Sequence, residues 1–307
     1  MRVFRHIDEL PAFQNAVLTI GTFDGVHIGH KKIISRIEEI AREENGESIL
    51  ITFDPHPRIV LSNDDSVRLL TTLNEKTELL RANGIDNLVV AKFSRSFSEM
   101  TPEEYITDFH YKRFQPNVVV IGYDHKFGKN RVGDINFMKD KGAELGFRLE
   151  EIPKQQVDEM SVSSTKIRQA LQEGNIQQAN SLLGHAYTVE GTVVRGDGIG
   201  RQLGYPTANL QVEDPYKLIP ADGVYAVRVN YQETTYNGML SIGIRPTFNG
   251  KMRTIEVNIF DFDQDIYGQK IKLAFVERIR PEIEFADADE LIKKMDEDRQ
   301  SALAILA

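Results

Sequence analysis

The sequence predicts two domains: an α/β unit on a parallel sheet, then a small antiparallel β-barrel with a terminal helix. Three observations carry this. Short apolar runs alternate with amphipathic stretches in the first half. From Tyr187 onward the rhythm changes to period two. A length of 307 residues exceeds one ordinary core and suits two.

In the first half, residues 17–21, 49–53, 88–93 and 118–122 read as buried strands. Between the first two, Ile33, Ile34, Ile37, Ile40 and Ala41 recur at helical spacing, which predicts a helix over 29–44 with one buried face. Further helices are expected near 73–83, 102–114 and 134–145, the last closing at Gly146. Strand–helix alternation of this kind implies a Rossmann-like parallel sheet covered on both faces. Ser163 or Ser164 can cap a helix ending at Gly174, and Asn175 can cap the next, ending at Gly184. The domain boundary is expected there, giving 1–183 and 184–307.

In the second half, 189–194, 224–229, 254–260 and 271–276 are strand-like and separated by Gly- and Asp-rich turns. Within 254–260, Ile255, Val257 and Ile259 share one face, and Glu256 lies on the other. A last amphipathic stretch, 291–306, predicts a helix packed on the barrel.

Composition narrows the class. A hydrophobic content of 41% and no membrane-length apolar run imply a soluble globular protein. The start MRVFRHIDELPAF has no apolar signal stretch. With no cysteine there is no disulfide and no thiolate metal site, which fits a cytoplasmic location. A formal net charge of −9 argues against nucleic acid or an anionic membrane as partner, although a local pocket can still be positive. Self-association stays open.

In an open parallel sheet, ligands bind beyond the carboxyl ends of the strands. The loops expected there are 21–31, 54–58 and 123–134, and they hold His27, His30, His56 and His125, four of the seven histidines. His27-Ile28-Gly29-His30 stands where a strand turns into a helix. A helix N-terminus offers free N–H groups to a phosphate, and two imidazoles there can donate to its oxygens. A capped, packed turn would use the same residues. His56 and His125 are left outside the site. Asp24 and Asp124 can contact substrate or metal, and equally fit turn-making carboxylates.

The whole segment Gly21-Thr22-Phe23-Asp24-Gly25-Val26-His27-Ile28-Gly29-His30 resembles the signature of the nucleotidyltransferase superfamily. A second motif of that superfamily is similar to Ser163-Ser164-Thr165-Lys166-Ile167-Arg168. Hydroxyls, helical N–H groups and two cations at one helix start make an anion site. The resemblance implies that a phosphate oxygen of an acceptor attacks the α-phosphorus of ATP and pyrophosphate leaves. It places His27 and His30 on the ATP phosphates, Ser164, Thr165 and Arg168 closing over them, and Gly21, Phe23 and Gly29 in the binding loop.

The second candidate site centres on residues 195–210, RGDGIGRQLGYPTANL. Its glycines, Gly198 among them, free the backbone to wrap around phosphate, and Arg201 adds charge. It is neither a Walker loop nor a dinucleotide fingerprint, because no GK[ST] and no long helix follow. Thr207 and Asn209, two apart in an extended segment, present hard oxygens to one side, as Mg²⁺ carrying ATP phosphates requires. Glu256 can serve as the general base that a small-alcohol kinase needs, or as a solvated strand glutamate.

GRQLGYPTANL, GVYAV, SIGIRPTF and TIEVNIFDFDQDIYG together resemble the riboflavin kinase family, a six-stranded barrel. That resemblance implies that Thr207 and Asn209 bind Mg-ATP and that Glu256 is the catalytic base. With the upstream motifs, residues 15–285 resemble the bifunctional bacterial riboflavin kinase/FAD synthetase family, whose substrates and products are ATP, riboflavin, FMN and FAD. Three positions depart from the pattern: Asn258 stands where His is usual, His125 where an aromatic is usual, and Lys166 where Arg is frequent. Two other readings remain at this point: a nucleotidyltransferase with a different phosphate acceptor, and a flavin- or nucleotide-binding regulator without catalysis.

Overall fold

The computed structural model describes residues 1–62, 66–123, 125–153, 162–196, 198–247 and 250–307. The chain divides into two compact units, Met1–Ser163 and Ser164–Ala307.

In the first unit, β1 (Arg2–Phe4), β2 (Val17–Ile20), β3 (Ser48–Asp54), β4 (Asn87–Lys92), β5 (Val118–Gly122) and β6 (Arg148–Ile152) form one sheet. Its order is β1-β4-β3-β2-β5-β6, with every pairing parallel. The four strands expected from their apolar runs are the four central ones. The two edges carry no such signal, since β1 is short and β6 reads RLEEI. Alternate residues feed cores on opposite faces. Leu18, Ile20, Ile49, Ile51 and Val89 pack on one side. Val17, Leu50, Leu88 and Val90 pack on the other, against Ile34, Ile37 and Ile40 of helix α1 (Ile28–Glu43). The chain runs from β2 outward to β3 and β4, then returns to place β5 on the other side of β2. That reversal puts a crevice between the carboxyl ends of β2 and β5.

Helix α2 (Leu73–Ala82) starts at a capping box in which Thr72 and Glu75 satisfy each other's backbone N–H. The stretch 102–114 is helical throughout, as its pattern predicts, but Tyr105–Tyr111 is wound as a π-helix. Helix α3 (Ile135–Leu145) is capped by Asp134 and ends at Gly146 with φ 86°.

The second unit begins with helices α4 (Ser164–Glu173) and α5 (Ile176–Leu183). By its contacts this pair goes with the barrel. Asn180 donates to the Phe275 carbonyl at 2.9 Å and accepts from the Tyr187 amide at 2.7 Å. The Ala221 amide donates to the Leu171 carbonyl at 3.0 Å. The contact division therefore falls at Ser163/Ser164, ahead of the helix pair, whereas the helix-to-strand change in the sequence falls after it.

The barrel comprises β7 (Thr188–Val194), β8 (Ala208–Gln211), β9 (Gly223–Tyr231), β10 (Thr234–Thr247), β11 (Gly250–Ile259) and β12 (Lys270–Arg280). It closes in the order β10-β11-β8-β7-β12-β9, entirely antiparallel. After α5 come a four-residue helical turn at Ile199–Gln202 and, last, the terminal helix α6 (Ala288–Leu306). Helix α6 begins earlier than the apolar pattern suggests because Asp287 caps it by accepting from the Glu290 amide. Ala302 and Leu306 seat it on Ala226, Met239 and Phe260 of the barrel.

Candidate active site

In the first unit the crevice loop leaves β2 and becomes α1. His27 is the N-cap of α1, its Nδ1 accepting from the His30 amide at 3.3 Å. The two imidazoles stack, with centroids 3.6 Å apart and an interplanar angle of 13°. Phe23 lies beneath His30 at 4.9 Å, and Gly29 is buried in the first helical turn. Gly21 has no side chain where a Cβ would come within 3.2 Å of the Phe23 ring. Burial holds the His30 imidazolium form well below the usual histidine range, helped by the charges of His27 and then Lys76. Among the described residues, His30 Nδ1 has no hydrogen-bond partner. A neutral imidazole such as His30 at a helix N-terminus can donate to an incoming phosphate without an anion already in place.

Asp24 is turned inward. It accepts from the Leu70 amide at 3.0 Å and from the Thr71 amide at 3.1 Å, and is 2% exposed. Both bonds run to a segment distant along the chain rather than within the turn that holds Asp24. Asp124 lies outside the described residues. His56 caps the short helix Pro57–Leu61 by accepting from the Arg58 amide. His125 stacks on Phe127, which in turn stacks on Tyr105. Ser164, Thr165 and Arg168 occupy the first turns of α4, where Ile167 is buried and Thr165 and Lys166 are exposed.

Sequence reasoning missed Lys76 in this unit. It sits on α2, 5% exposed, and donates from Nζ to the Thr22 carbonyl at 2.7 Å and to Thr52 Oγ1 at 3.3 Å. Burial lowers its pKa, opposed by the charges of Asp24 and Asp54. The capping box just before it marks the helix, but no periodicity shows a lysine turned inward.

In the second unit two cavities meet at Thr207. One, of 330 Å³, is bounded by Glu256, Ser241, Thr254, Met295 and Phe285 among others. The other, of 340 Å³, is bounded by Arg201, Val257, Phe262, Asp263 and Tyr267 among others. Both are of a size that suits a small organic ligand. The alternation in β11 holds as read: Ile255, Val257 and Ile259 share one face and Glu256 the other. That other face is not solvated, however. Glu256 is 9% exposed and Asn258 8%. The terminal helix and the 199–207 segment, through Leu291, Met295, Gly200 and Leu203, contribute to the same cavity.

Glu256 stands opposite Asn209 in the β11–β8 register and accepts from the Thr207 hydroxyl at 3.2 Å. Two glycines make this approach possible. A Cβ on Gly196 would come within 2.3 Å of the Asn209 amide, and one on Gly200 within 2.3 Å of the Tyr205 carbonyl and 3.3 Å of Thr207 Oγ1. Gly198 adopts φ 71° with open space around it, and Arg201 is exposed at the cavity edge. Asn258, the departure from the usual histidine, donates to the Pro206 carbonyl at 2.7 Å and so fastens the segment carrying Thr207. Thr207 and Asn209 offer a hydroxyl and a carboxamide oxygen beside a carboxylate, a hard-oxygen set that fits Mg²⁺. Among the described residues no group of three or more His, Cys, Asp or Glu side chains could hold a metal ion.

Comparison with known proteins agrees with this division of labour. The FAD synthetase family matches residues 10–166 and the riboflavin kinase family residues 183–306. A bifunctional riboflavin kinase/FMN adenylyltransferase of Listeria monocytogenes is 39% identical over 95% of this chain and 93% of its own. The Bacillus subtilis protein of the same name is 37% identical, over 94% and 92%. The chain belongs to the bifunctional riboflavin kinase/FMN adenylyltransferase family. The Escherichia coli K12 member is 35% identical over 98% of this chain and 96% of its own. A solved structure titled a macrolide-efflux protein of Streptococcus pneumoniae superposes with a TM-score of 0.89 at 31% identity, covering 98% of both chains. That title speaks of the other protein. Here, no helix among the described residues is long and apolar enough to cross a membrane.

Proposed function

We infer that this bifunctional enzyme phosphorylates riboflavin to FMN in the barrel and adenylylates FMN to FAD in the unit with the parallel sheet, spending one ATP at each step. The observation that carries the reading is Glu256, buried in the wall of one cavity and within hydrogen-bond reach of Thr207, which also borders the other. A carboxylate there is placed to serve an alcohol in one cavity and a phosphate donor in the other.

In the barrel, riboflavin occupies the cavity under the terminal helix, where Met239, Leu291 and Met295 supply apolar wall. Glu256 takes the proton of the ribityl 5′-hydroxyl as that oxygen bonds to the γ-phosphorus of ATP and the bond to the β-phosphate oxygen breaks, giving FMN and ADP. ATP lies in the neighbouring cavity, its phosphates toward Arg201 and Gly198. Thr207 and Asn209 would hold Mg²⁺ with those phosphates, and the ion when bound offsets their charge. Thr207 orients the Glu256 carboxylate through their shared hydrogen bond.

In the first unit, the amides of the first turn of α1 and the imidazoles of His27 and His30 bind the phosphates of the second ATP. The FMN phosphate oxygen bonds to the α-phosphorus, and pyrophosphate leaves. No protein nucleophile is needed, so the unit contributes alignment and charge neutralisation. Gly21 and Phe23 shape the loop in this reading. Functionally, residues 1–183 then serve adenylyl transfer and 184–307 the kinase, although the helix pair 164–183 is packed on the barrel. Both steps use the ATP supply of the cytoplasm, which also suits a chain without cysteine.

Incubating the protein with riboflavin, ATP and Mg²⁺ and separating the flavins by chromatography tests the reading. FMN first and FAD after it is the expected course. FMN alone would remove the adenylyl-transfer assignment, and no conversion of either riboflavin or FMN would leave a binding protein.

A further inference from the structure

The loop that joins β2 to α1 is held in an unfavourable conformation. Phe23 and Val26 both take positive φ, 44° and 40°. For a bulky or β-branched side chain that region is sterically poor. It persists only where the surroundings over-determine it. Two buried charged side chains do so here, from opposite ends of the turn. Asp24 binds the backbone of Leu70 and Thr71, and Thr71 Oγ1 accepts from the Gly25 amide at 3.1 Å. Before the turn, the Thr22 carbonyl accepts from Lys76 Nζ at 2.7 Å and from Thr52 Oγ1 at 3.1 Å.

A lysine buried to this degree costs free energy that an exposed one does not. Its ammonium is spent on a carbonyl inside the loop, and Thr52, the other donor to that carbonyl, is itself fully buried. Lys76 Nζ contacts protein, at the Thr22 carbonyl and at Thr52 Oγ1. It anchors the residue from which the turn swings toward His27, Gly29 and His30.

We propose that Lys76 is a positioning residue for adenylyl transfer: by holding the Thr22 carbonyl from beneath, it fixes the strained 22–26 turn that presents the α1 amides and His30 to the ATP phosphates. Thr52 shares this task, and Asp24 performs it on the far side of the turn, so neither carboxylate nor ammonium touches ATP. The proposal rests on the reading of the 21–30 loop as the phosphate site.

The test uses the full chain, whose riboflavin kinase activity serves as an internal control for folding. Lys76→Met and the near-isosteric Thr52→Val are assayed for FAD formation from added FMN and ATP, and separately for FMN formation from riboflavin. A displacement of reacting groups by a fraction of their contact distance lowers kcat by up to about 100-fold while ground-state contacts largely survive. The expected result is thus a kcat for FAD formation down about 100-fold in Lys76→Met and about 10-fold in Thr52→Val, with KM for ATP near the original value and kinase activity unchanged. Should Lys76→Met lose both activities together, Thr52→Val decides. A Thr52→Val protein with unaltered kcat for FAD formation would overturn the clamp. So would a loss carried wholly by KM. If the unaltered protein forms no FAD from FMN, it is the reading of the phosphate site that fails.

Discussion

The Thr207 hydroxyl donates to the Glu256 carboxylate across 3.2 Å, tying the segment that leads into β8 to the middle of β11 at a residue that borders both barrel cavities. The bond links a candidate metal ligand to the candidate base, so a change at either residue alters the other's orientation. It also explains why the outer face of β11, polar in sequence, is buried: the groups there satisfy one another and the segment above them.

Replacing Glu256 by Gln keeps the shape and a partner for Thr207 but removes the proton acceptor. FMN formation should fall by about 100- to 10,000-fold, the range usual for loss of a general base. FAD formation from supplied FMN should be untouched. Chromatographic assay of the two half-reactions on one preparation checks both statements, and full kinase activity in the variant would disprove the assignment.

His30→Ala should do the reverse. It removes a ring stacked 3.6 Å from His27 at the N-terminus of α1, together with the donor to phosphate proposed above. Adenylyl transfer should drop by about 100-fold or more, as when one preorganised donor is lost from a transition-state site. The same assay with riboflavin as substrate should show an unchanged kinase.

The terminal helix is anchored by one buried ion pair. Arg280 donates to both oxygens of Asp298, at 3.0 and 2.8 Å, and Asp298 is 3% exposed. Asp298→Ala leaves the guanidinium without its carboxylate and should cost about 3 kcal/mol, as expected for breaking a buried pair from one side. Urea unfolding of the variant would show it. Because Leu291, Met295 and Asp298 itself all border the Glu256 cavity, KM for riboflavin should rise in parallel.

Acid stability should depend on His110. It is fully buried in the π-helix among Tyr105 and Phe109, and among the described residues neither ring nitrogen has a partner. Burial, then the charge of His125, lowers its pKa to about 3. The unfolded chain, with a histidine pKa of about 6.5, binds the proton first. Stability is therefore complete above about pH 6.5 and falls as pH drops from there toward about 3, by about 2 kcal/mol at pH 5. Denaturant titrations at pH 7 and pH 5 measure this loss. His110→Leu should flatten it, and an undiminished pH dependence in that variant would rule His110 out as its source.

Much of this was legible in the residues. The central strands β2–β5 announce themselves because each is a continuous apolar run buried on both faces, and α1 because Ile34, Ile37 and Ile40 fall on one stripe. The histidine loop was readable because glycines and polar residues interrupt those patterns at a strand end, and the Thr207–Asn209–Glu256 set because its motifs resemble the riboflavin kinase family. Edge strands such as β6 were not, since a charged edge carries no period-two core signal.

What the sequence determined by itself is family and order: the residue types of two candidate sites, and a parallel sheet ahead of an antiparallel barrel. What only the tertiary structure decided is which polar groups work from inside. Lys76 under the phosphate loop, Asp24 turned inward to Leu70 and Thr71, Asn258 on the Pro206 carbonyl and Arg280 on Asp298 are all partners distant along the chain. Periodicity reports which face of an element a side chain occupies. It cannot report what another element brings to that face, and burial of a charge or amide is stable only when that partner arrives.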